Sequence, residues 1–375
     1  MGTIKIYFGS VAIIMSVLKN KRGLLLTVAA ALFVIVIFGI LLVRLEQSRE
    51  QGESTVYRVR CDELNSFLDD ITKDLGRATS ISSTRALIFA IGTVVTNGTP
   101  LSDAAKDLNE LTLNASFKGN LAPDLQNQTL KNWTVKITNL AVQRDFTTNL
   151  DVSLMEMDSV PHTSWEYWAR VRINNLTIRD NLGYCSFNGA LPRGKKWVNA
   201  NVSIRGYEDP LYVLRTNGYT TRGVIRDNVS VGNHSNTVYI NTDIVQKLYH
   251  PSQDGPSFFE RLENKLGSPV DSARHNYYLN KTQQAFADEG ININTSNITI
   301  GLETFVDVNE MQTFIPQEIQ SEIIKVNQTV VDHLFFGPAL QGKKVVNVSN
   351  SYSWFRIDTP THKDFYNLSD NQLYE

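Results

Sequence analysis

Residues Leu24 to Val43 read LLLTVAAALFVIVIFGILLV, 20 positions without a charge in which only Thr27 and Gly39 relieve the apolar character. At about 1.5 Å of rise per residue, a helix of this length matches a hydrocarbon core about 30 Å thick. A buried core helix keeps one polar face, which this run lacks. A cleaved secretory segment is shorter, about 7 to 15 residues, and has a small-residue cleavage site behind it. Here Arg44, Leu45, Glu46 and Gln47 follow instead. The run therefore reads as an uncleaved transmembrane helix over 24–43, with the lipid bilayer as its partner.

Lys19, Lys21 and Arg22 stand directly before the run, whereas Arg44 and Arg49 behind it alternate with Glu46 and Glu50. The positive-inside bias keeps the N-terminus in the cytoplasm and sends the bulk of the chain out, as expected of a single-pass cell-membrane protein. Residues 1–23 are then a cytoplasmic leader. The stretch Ile6 to Leu18 is too short to cross a bilayer and contains Met15, which reads as the true start, with a short interfacial segment as the competing reading. No later window is long enough to span: the longest apolar one, Ala86 to Val95, is broken by Gly92 and Thr93.

The 375 residues carry 36 Lys and Arg against 38 Asp and Glu, a net charge of -2, and 42% are hydrophobic. That composition supports one large or two medium cores and excludes a disordered or collagen-like chain. Without a basic excess, nucleic acid is not an expected partner.

Asn-x-Ser/Thr sequons occur at Asn97, Asn114, Asn127, Asn132, Asn175, Asn201, Asn228, Asn233, Asn280, Asn294, Asn297, Asn327, Asn347 and Asn367. These are 14 of 33 asparagines, where chance gives roughly 5. All lie on the outward side of the span, so glycosylation is expected; the competing reading is an Asn- and Thr-rich surface without glycans. Cys61 and Cys185 are the only cysteines. In an oxidising exterior they are expected to form one disulfide, with two buried thiols as the alternative. They lack the neighbours of a zinc site.

Leu64, Phe67, Leu68, Ile71, Leu75 and Ala78 follow the helical i, i+3, i+4 spacing, with Asp69, Asp70, Lys73 and Asp74 on the other face. Ser82 to Thr84 are positioned to cap a second helix through Val95, Asn97 to Pro100 end it, and Leu101, Ala105, Leu108 and Leu111 form a third stripe. Beyond about residue 130 the period changes. Trp133, Val135 and Ile137 alternate, as do Leu150, Val152 and Leu154, and Trp165 to Ile173, which predicts half-buried strands with Glu166, Arg170, Arg172 and Asn174 wet. Further expectations are an extended Leu211 to Leu214, a helix over Pro256 to Leu266, and strands near Ile298 to Val308, Val330 to Phe336 and Val345 to Val348. The fold class is α+β: an N-terminal transmembrane helix (24–43), a helical neck (44–120), a β-rich, antiparallel, sandwich-like extracellular head (121–247) and a mixed α/β part of that head (248–375).

Motifs that carry chemistry are missing from the sequence. It has no Asp-x-Asp, HExxH, GxSxG, GxxxxGK[ST] or GxGxxG, and no cofactor or catalytic residue is assigned. His162, His234, His250, His275, His333 and His362 are scattered, with no i, i+4 pair. In Asp332-His333, beside Leu334, Phe335 and Phe336, the histidine could act as a base, but His333 reads as a hydrogen-bonded core residue. Glu208-Asp209 and Asp307 to Glu310 could ligate calcium, but lack EF-hand spacing and read as solvated turns. Trp165 and Trp168 could stack on a sugar; a strand with one face inward makes one of them core.

Lys21-Arg22-Gly23 before Leu24 resembles the basic-Gly site cut by prepilin peptidases, with Gly23 and Leu24 flanking the cut. With this leader, the chain resembles archaeal type IV pilin-like and uncharacterised archaeal single-span, membrane-anchored surface proteins. GYEDPLYVLRTNG (206–218), GPSFFERLE (255–263) and GLETFV (301–306) look like recurring phrases of archaeal secreted proteins with such N-termini. The resemblance implies a helix that both anchors and oligomerises, through small residues such as Ala29, Ala30, Ala31 and Gly39. Many pilins carry Glu five residues into the mature chain; here that position is Val28.

These observations lead to the expectation of a non-enzymatic, single-span, pilin-like surface glycoprotein serving envelope assembly or adhesion, alone or as a homo- or hetero-oligomer through its membrane helix. The alternatives are an anchored receptor for a small ligand or polysaccharide, marked by a deep aromatic pocket, and an envelope hydrolase or transferase, marked by carboxylates converging with His333 in one cleft.

Overall fold

The computed structural model describes residues 21–227, 237–358 and 361–375; Met15 and the sequons at Asn228 and Asn233 lie outside them, as does the side chain of Leu24. The chain divides into two compact units, one of residues up to 65 with 183–185, the other of 66–182 with 186–375.

The first unit is built on helix α1, Lys21–Asn97, which continues into the second. Every residue from Leu25 to Gln47 is exposed, and this 23-residue apolar stretch is long enough to cross a membrane. The hydroxyl of Thr27, a polar exception in the run, donates to the Gly23 carbonyl at 3.1 Å, so it needs no partner from outside the helix. Further along, Arg60 and Glu63 pair at 2.7 Å. Cys61 and Cys185 are half-buried thiols, and Cys61 Sγ lies 3.9 Å from the carbonyl of Tyr184. The two residues expected to bridge are thus brought near one another by the 183–185 segment.

In the second unit α1 buries Phe67, Leu68, Ile71 and Leu75, then Ala86, Leu87, Ala90 and Val94. It does not restart at Ser82 to Thr84 as expected. Thr84 Oγ1 donates back to the Ser80 carbonyl at 2.8 Å, the in-helix option for a threonine, instead of capping a new N-terminus. The helix stops at Asn97, where Gly98 adopts φ +60°. Helix α2, Ala104–Asn114, is capped by Asp103, and helix α3, Leu130–Gln143, by Thr129. Helix α3 replaces the strand expected at Trp133 to Ile137. Its buried positions Leu130, Trp133, Thr134, Ile137 and Ala141 have helical spacing and Val135 is exposed, so the three-residue alternation was a fragment of a longer period.

Strands β1 (Phe146–Thr148), β2 (Met155–Thr163), β3 (Glu166–Asp180), β4 (Ser186–Leu191) and β5 (Val198–Ser203) form one antiparallel sheet. The 15-residue β3 is its spine: β2 and β5 pair with its first half, and β1 and β4 with its second. The segment Leu150 to Leu154, expected as a strand, is instead a loop ending in a short 3-10 turn capped by Asp151. Tyr167 and Ala169 join the core made by α1 and α2, whereas Trp168 packs with Ala285 and Phe286 of a later helix. Around Trp168 and Arg170 both faces of β3 are therefore covered, and Arg170, expected to be wet, is only 2% exposed and ion-paired to Asp288.

Next come α4 (Pro210–Arg215), β6 (Ile225–Arg226), α5 (Thr237–Gln246), β7 (Leu248–Ser257), α6 (Phe258–Leu262) and α7 (Ser272–Asp288). Helix α4 corrects the extended reading of Leu211 to Leu214: Asp209 accepts from Leu211 N at 3.0 Å and Pro210 stands at the first helical position. Helix α6 is shorter than the expected 256–266 and starts in a capping box between Ser257 and Glu260. The chain closes with β8 (Gly301–Glu303), α8 (Val308–Phe314), α9 (Gln317–Ile323), α10 (Asp332–Phe335), β9 (Lys343–Val345), β10 (Arg356–Ile357), α11 (Thr361–Phe365) and β11 (Leu373–Tyr374). Strand β7 pairs antiparallel with β8 and parallel with β6, while β9 lies between β10 and β11. The strand expected over Val330 to Phe336 begins as one, bridging Val331 to Phe305, and then winds into α10. A second core gathers around Phe305, Phe335, Phe355 and Tyr366.

Candidate functional site

The second core contains polar groups that apolar packing alone does not call for. In the β7–β8 ladder, His250 is the cross-strand partner of Glu303. Residues 304–306 hydrogen-bond with 330–332, Val306 N to the Val330 carbonyl at 2.7 Å and Asp332 N to the Thr304 carbonyl at 2.9 Å, which carries His333 to the same place. Helix α11 adds His362 and, one turn on, Tyr366.

Glu303 is the hub. Its Oε2 lies 3.2 Å from His333 Nε2 and 2.9 Å from His362 Nε2, and its Oε1 accepts from the Tyr366 hydroxyl at 3.0 Å. His362 Nδ1 is 2.6 Å from an oxygen of Asp358. A second group adjoins: His250 Nδ1 is 3.4 Å from Asp227 and its Nε2 is 3.1 Å from Asp243. All of these side chains are buried. Glu303 and His362 also line a cavity of about 260 Å³ with Pro251, Ser252, Gln253 and Phe365. In each group three ligand-type atoms from a histidine-carboxylate set lie within 4.8 Å of one another.

One buried cation supports this arrangement from behind. Arg261 of α6, completely buried, binds Asp209 at 2.5 Å, Asp332 at 2.9 Å and the Leu302 carbonyl, while the Tyr249 hydroxyl donates to Asp209 at 2.7 Å. Tyr249, Leu302 and Asp332 immediately precede His250, Glu303 and His333. On three separate segments, then, one residue engages the Arg261 network and the next reaches the histidine-carboxylate cluster. Close backbone packing completes the frame: a Cβ on Gly301 would stand 1.8 Å from the Gly255 carbonyl oxygen.

Burial opposes the charge on Glu303, yet the flanking His362 and His333 hold its carboxyl well below the usual range. Burial alone would lower His362, but Glu303 and Asp358 overcome it and raise the imidazole to about 10. His250 is likewise lowered by burial and raised, on balance, to about 9 by Asp227 and Asp243. As a set of protonated imidazoles among carboxylates the cluster is an ion network; with the imidazoles neutral it is a set of N and O donors suited to a metal ion.

Of the residues singled out in the sequence, His333 is buried and hydrogen-bonded, to Glu303, whereas Asp332 beside it belongs to the Arg261 network. Asp209 is buried against Arg261, and Glu208 forms no part of the cluster. Asp307 caps α8, accepting from Asn309 N and Glu310 N, and Glu310 pairs with Arg222 and Lys247, so these oxygens serve the fold. Trp165 and Trp168 are both buried, Trp168 stacked on His162 at 3.9 Å, and neither offers a face to a sugar. Among the twelve described sequon asparagines, eleven are exposed and Asn132 is half-buried. Glu303, His362, Asp227, Asp243 and Asp358 were missed. The available signal was a carboxylate enclosed in an apolar phrase, as in Gly301-Leu-Glu-Thr-Phe-Val, repeated in the 206–218 and 255–263 phrases that supply Asp209 and Arg261.

Comparison with protein-family models, curated proteins and solved structures finds no match. The site is therefore interpreted from its own chemistry.

Proposed function

We propose that the chain is a single-span surface protein, its N-terminus cytoplasmic and its second unit displayed outside the membrane, with an envelope assembly or adhesion role like that of the pilin-like proteins its leader resembles. The observation that carries this reading is the helix segment Leu25–Gln47, apolar and exposed on all sides, directly behind Lys21 and Arg22. Eleven outward-facing sequon asparagines support glycans on the displayed unit. Alkaline carbonate washing of native membranes should leave the protein in the pellet. External protease on intact cells should remove the 66–375 unit, and its peptides should carry sugar masses at the sequons. A protein released by carbonate, or a second unit shielded until the cells are lysed, overturns the reading.

A second reading, an anchored envelope hydrolase or transferase, is favoured by one specific observation: Glu303, His333 and His362 converge beside a cavity, with Asp227, Asp243 and His250 next to them. Hydrolysis of ester, phosphoester or glycosidic test substrates by the purified protein, lost in Glu303→Gln, would move this reading to the front.

A further inference from the structure

We propose that Glu303, His333 and His362 bind a divalent transition-metal ion of the zinc class, leaving a coordination position open toward the cavity lined by Pro251, Gln253 and Phe365. Ligands at about 2.0 to 2.1 Å around a tetrahedral ion lie about 3.3 Å apart. Glu303 Oε2 stands 3.2 and 2.9 Å from the two imidazole Nε2 atoms, close to that spacing, and all three donors lie within 4.8 Å of one another.

The surroundings also suit a ligand set. Metal-bound imidazoles hold their outer nitrogen on a carboxylate or carbonyl, and ligating carboxylates are themselves hydrogen-bonded. His362 Nδ1 is 2.6 Å from Asp358, and the Glu303 oxygen not facing the imidazoles accepts from Tyr366. The 2.6 Å approach of Asp358 lacks hydrogen-bond geometry, so His333 Nδ1 and His362 Nδ1 are both buried without a hydrogen-bond partner. Two nitrogens and one carboxylate select zinc-class ions over magnesium or calcium, which require mostly oxygen. Three protein ligands and an adjoining cavity make an open site and not a closed structural one. The metal site is independent of the membrane anchor.

The test uses the full-length protein in detergent, stripped with a chelator, reloaded with Zn²⁺ and desalted. The expected result is about one zinc retained per chain from this site, weakened at least tenfold in His333→Ala and in His362→Ala and about 10- to 100-fold in Asp358→Asn, but unchanged in His275→Gln. Wild-type protein loaded with Co²⁺ should show the intense visible bands of a four- or five-coordinate ion, a readout that needs no variant to fold. Zinc lost entirely on desalting together with a cobalt spectrum of the hydrated ion overturns the proposal. So does full zinc retention in a folded His333→Ala/His362→Ala double variant, or zinc that is lost in Asp243→Asn alone.

Discussion

His250 on β7 stands directly across the ladder from Glu303 on β8, the carboxylate that binds His333 and His362. Cross-strand partners have Cβ atoms about 4.5 to 5.5 Å apart. The two histidine-carboxylate groups, which share no sequence neighbourhood, are therefore held as neighbours by backbone hydrogen bonds and not by the flexibility of their own side chains. Substitutions that disturb this ladder should be felt at both groups together.

Arg261 is the first such case. Arg261→Met removes the cation that bridges Asp209 and Asp332 and leaves two buried carboxylates without it, which should cost about 3 to 5 kcal/mol. Arg261→Lys should restore little, because a single ammonium cannot repeat the fork that also reaches the Leu302 carbonyl. Urea unfolding followed by circular dichroism measures both.

Gly301→Ala places a methyl group 1.8 Å from the Gly255 carbonyl oxygen, so β7 and β8 have to separate. The expected outcome is a loss of several kcal/mol or failure to fold, in contrast to Gly92→Ala, where a Cβ meets nothing within 4 Å and the helix should gain about 0.5 to 1 kcal/mol. Thermal melts of the two variants side by side decide this. A tolerated Gly301→Ala would mean that the strands are packed less closely than described.

Asp107 gives a pH dependence far from the cluster. Burial raises its carboxyl to about 6, partly offset by Lys118, and Oδ2 has no hydrogen-bond partner. With an unfolded value near 3.9, the folded chain takes up this proton first as the pH falls. The resulting destabilisation is complete above about pH 7, declines as pH drops through 6, and vanishes below about 4. Asp107→Asn should therefore stabilise the protein by about 1 to 3 kcal/mol at pH 7.5 and hardly at all at pH 4. Chemical denaturation at both values measures the difference.

Cys61 Sγ lies 3.9 Å from the carbonyl of Tyr184, the residue before Cys185, so oxidation of the pair is open to test. A non-reducing peptide map of protein matured in an oxidising compartment is expected to contain the Cys61–Cys185 linked pair, closing a long loop with a gain of about 4 to 5 kcal/mol. Two independently alkylated thiols in that map would exclude the bridge.

The parts of the fold that were legible in the sequence are those where one period runs long enough to be unambiguous. The apolar run of α1, its amphipathic continuation through Leu75, and the alternation that marks β3 all belong to this kind. Helix α3 was not legible because Trp133, Val135 and Ile137 satisfy a period of two over three positions and a helical period over twelve. Helix α7 left no apolar stripe at all: it buries His275, Tyr278, Thr282 and Ala285, correct in spacing but half polar in kind. Without such a stripe, nothing in the sequence announces a cover for the face of β3 that carries Trp168 and Arg170. The cluster itself was invisible for a different reason. Glu303 and the histidines His250, His333 and His362 are tens of residues apart on β7, β8, α10 and α11, and no local spacing encodes the pairing of those elements.

The alternation of Tyr249 with His250, Leu302 with Glu303 and Asp332 with His333 has a consequence for folding fidelity. A one-residue slip between β7 and β8 would turn Leu302 into the imidazoles and bury Glu303 against Asp209 and Asp332, like charges in a dry interior. Apolar strands of this length tolerate misregister poorly, but the error they risk is only a lost contact. Here the same error confronts carboxylate with carboxylate, so the network proofreads the strand alignment while it positions the cluster.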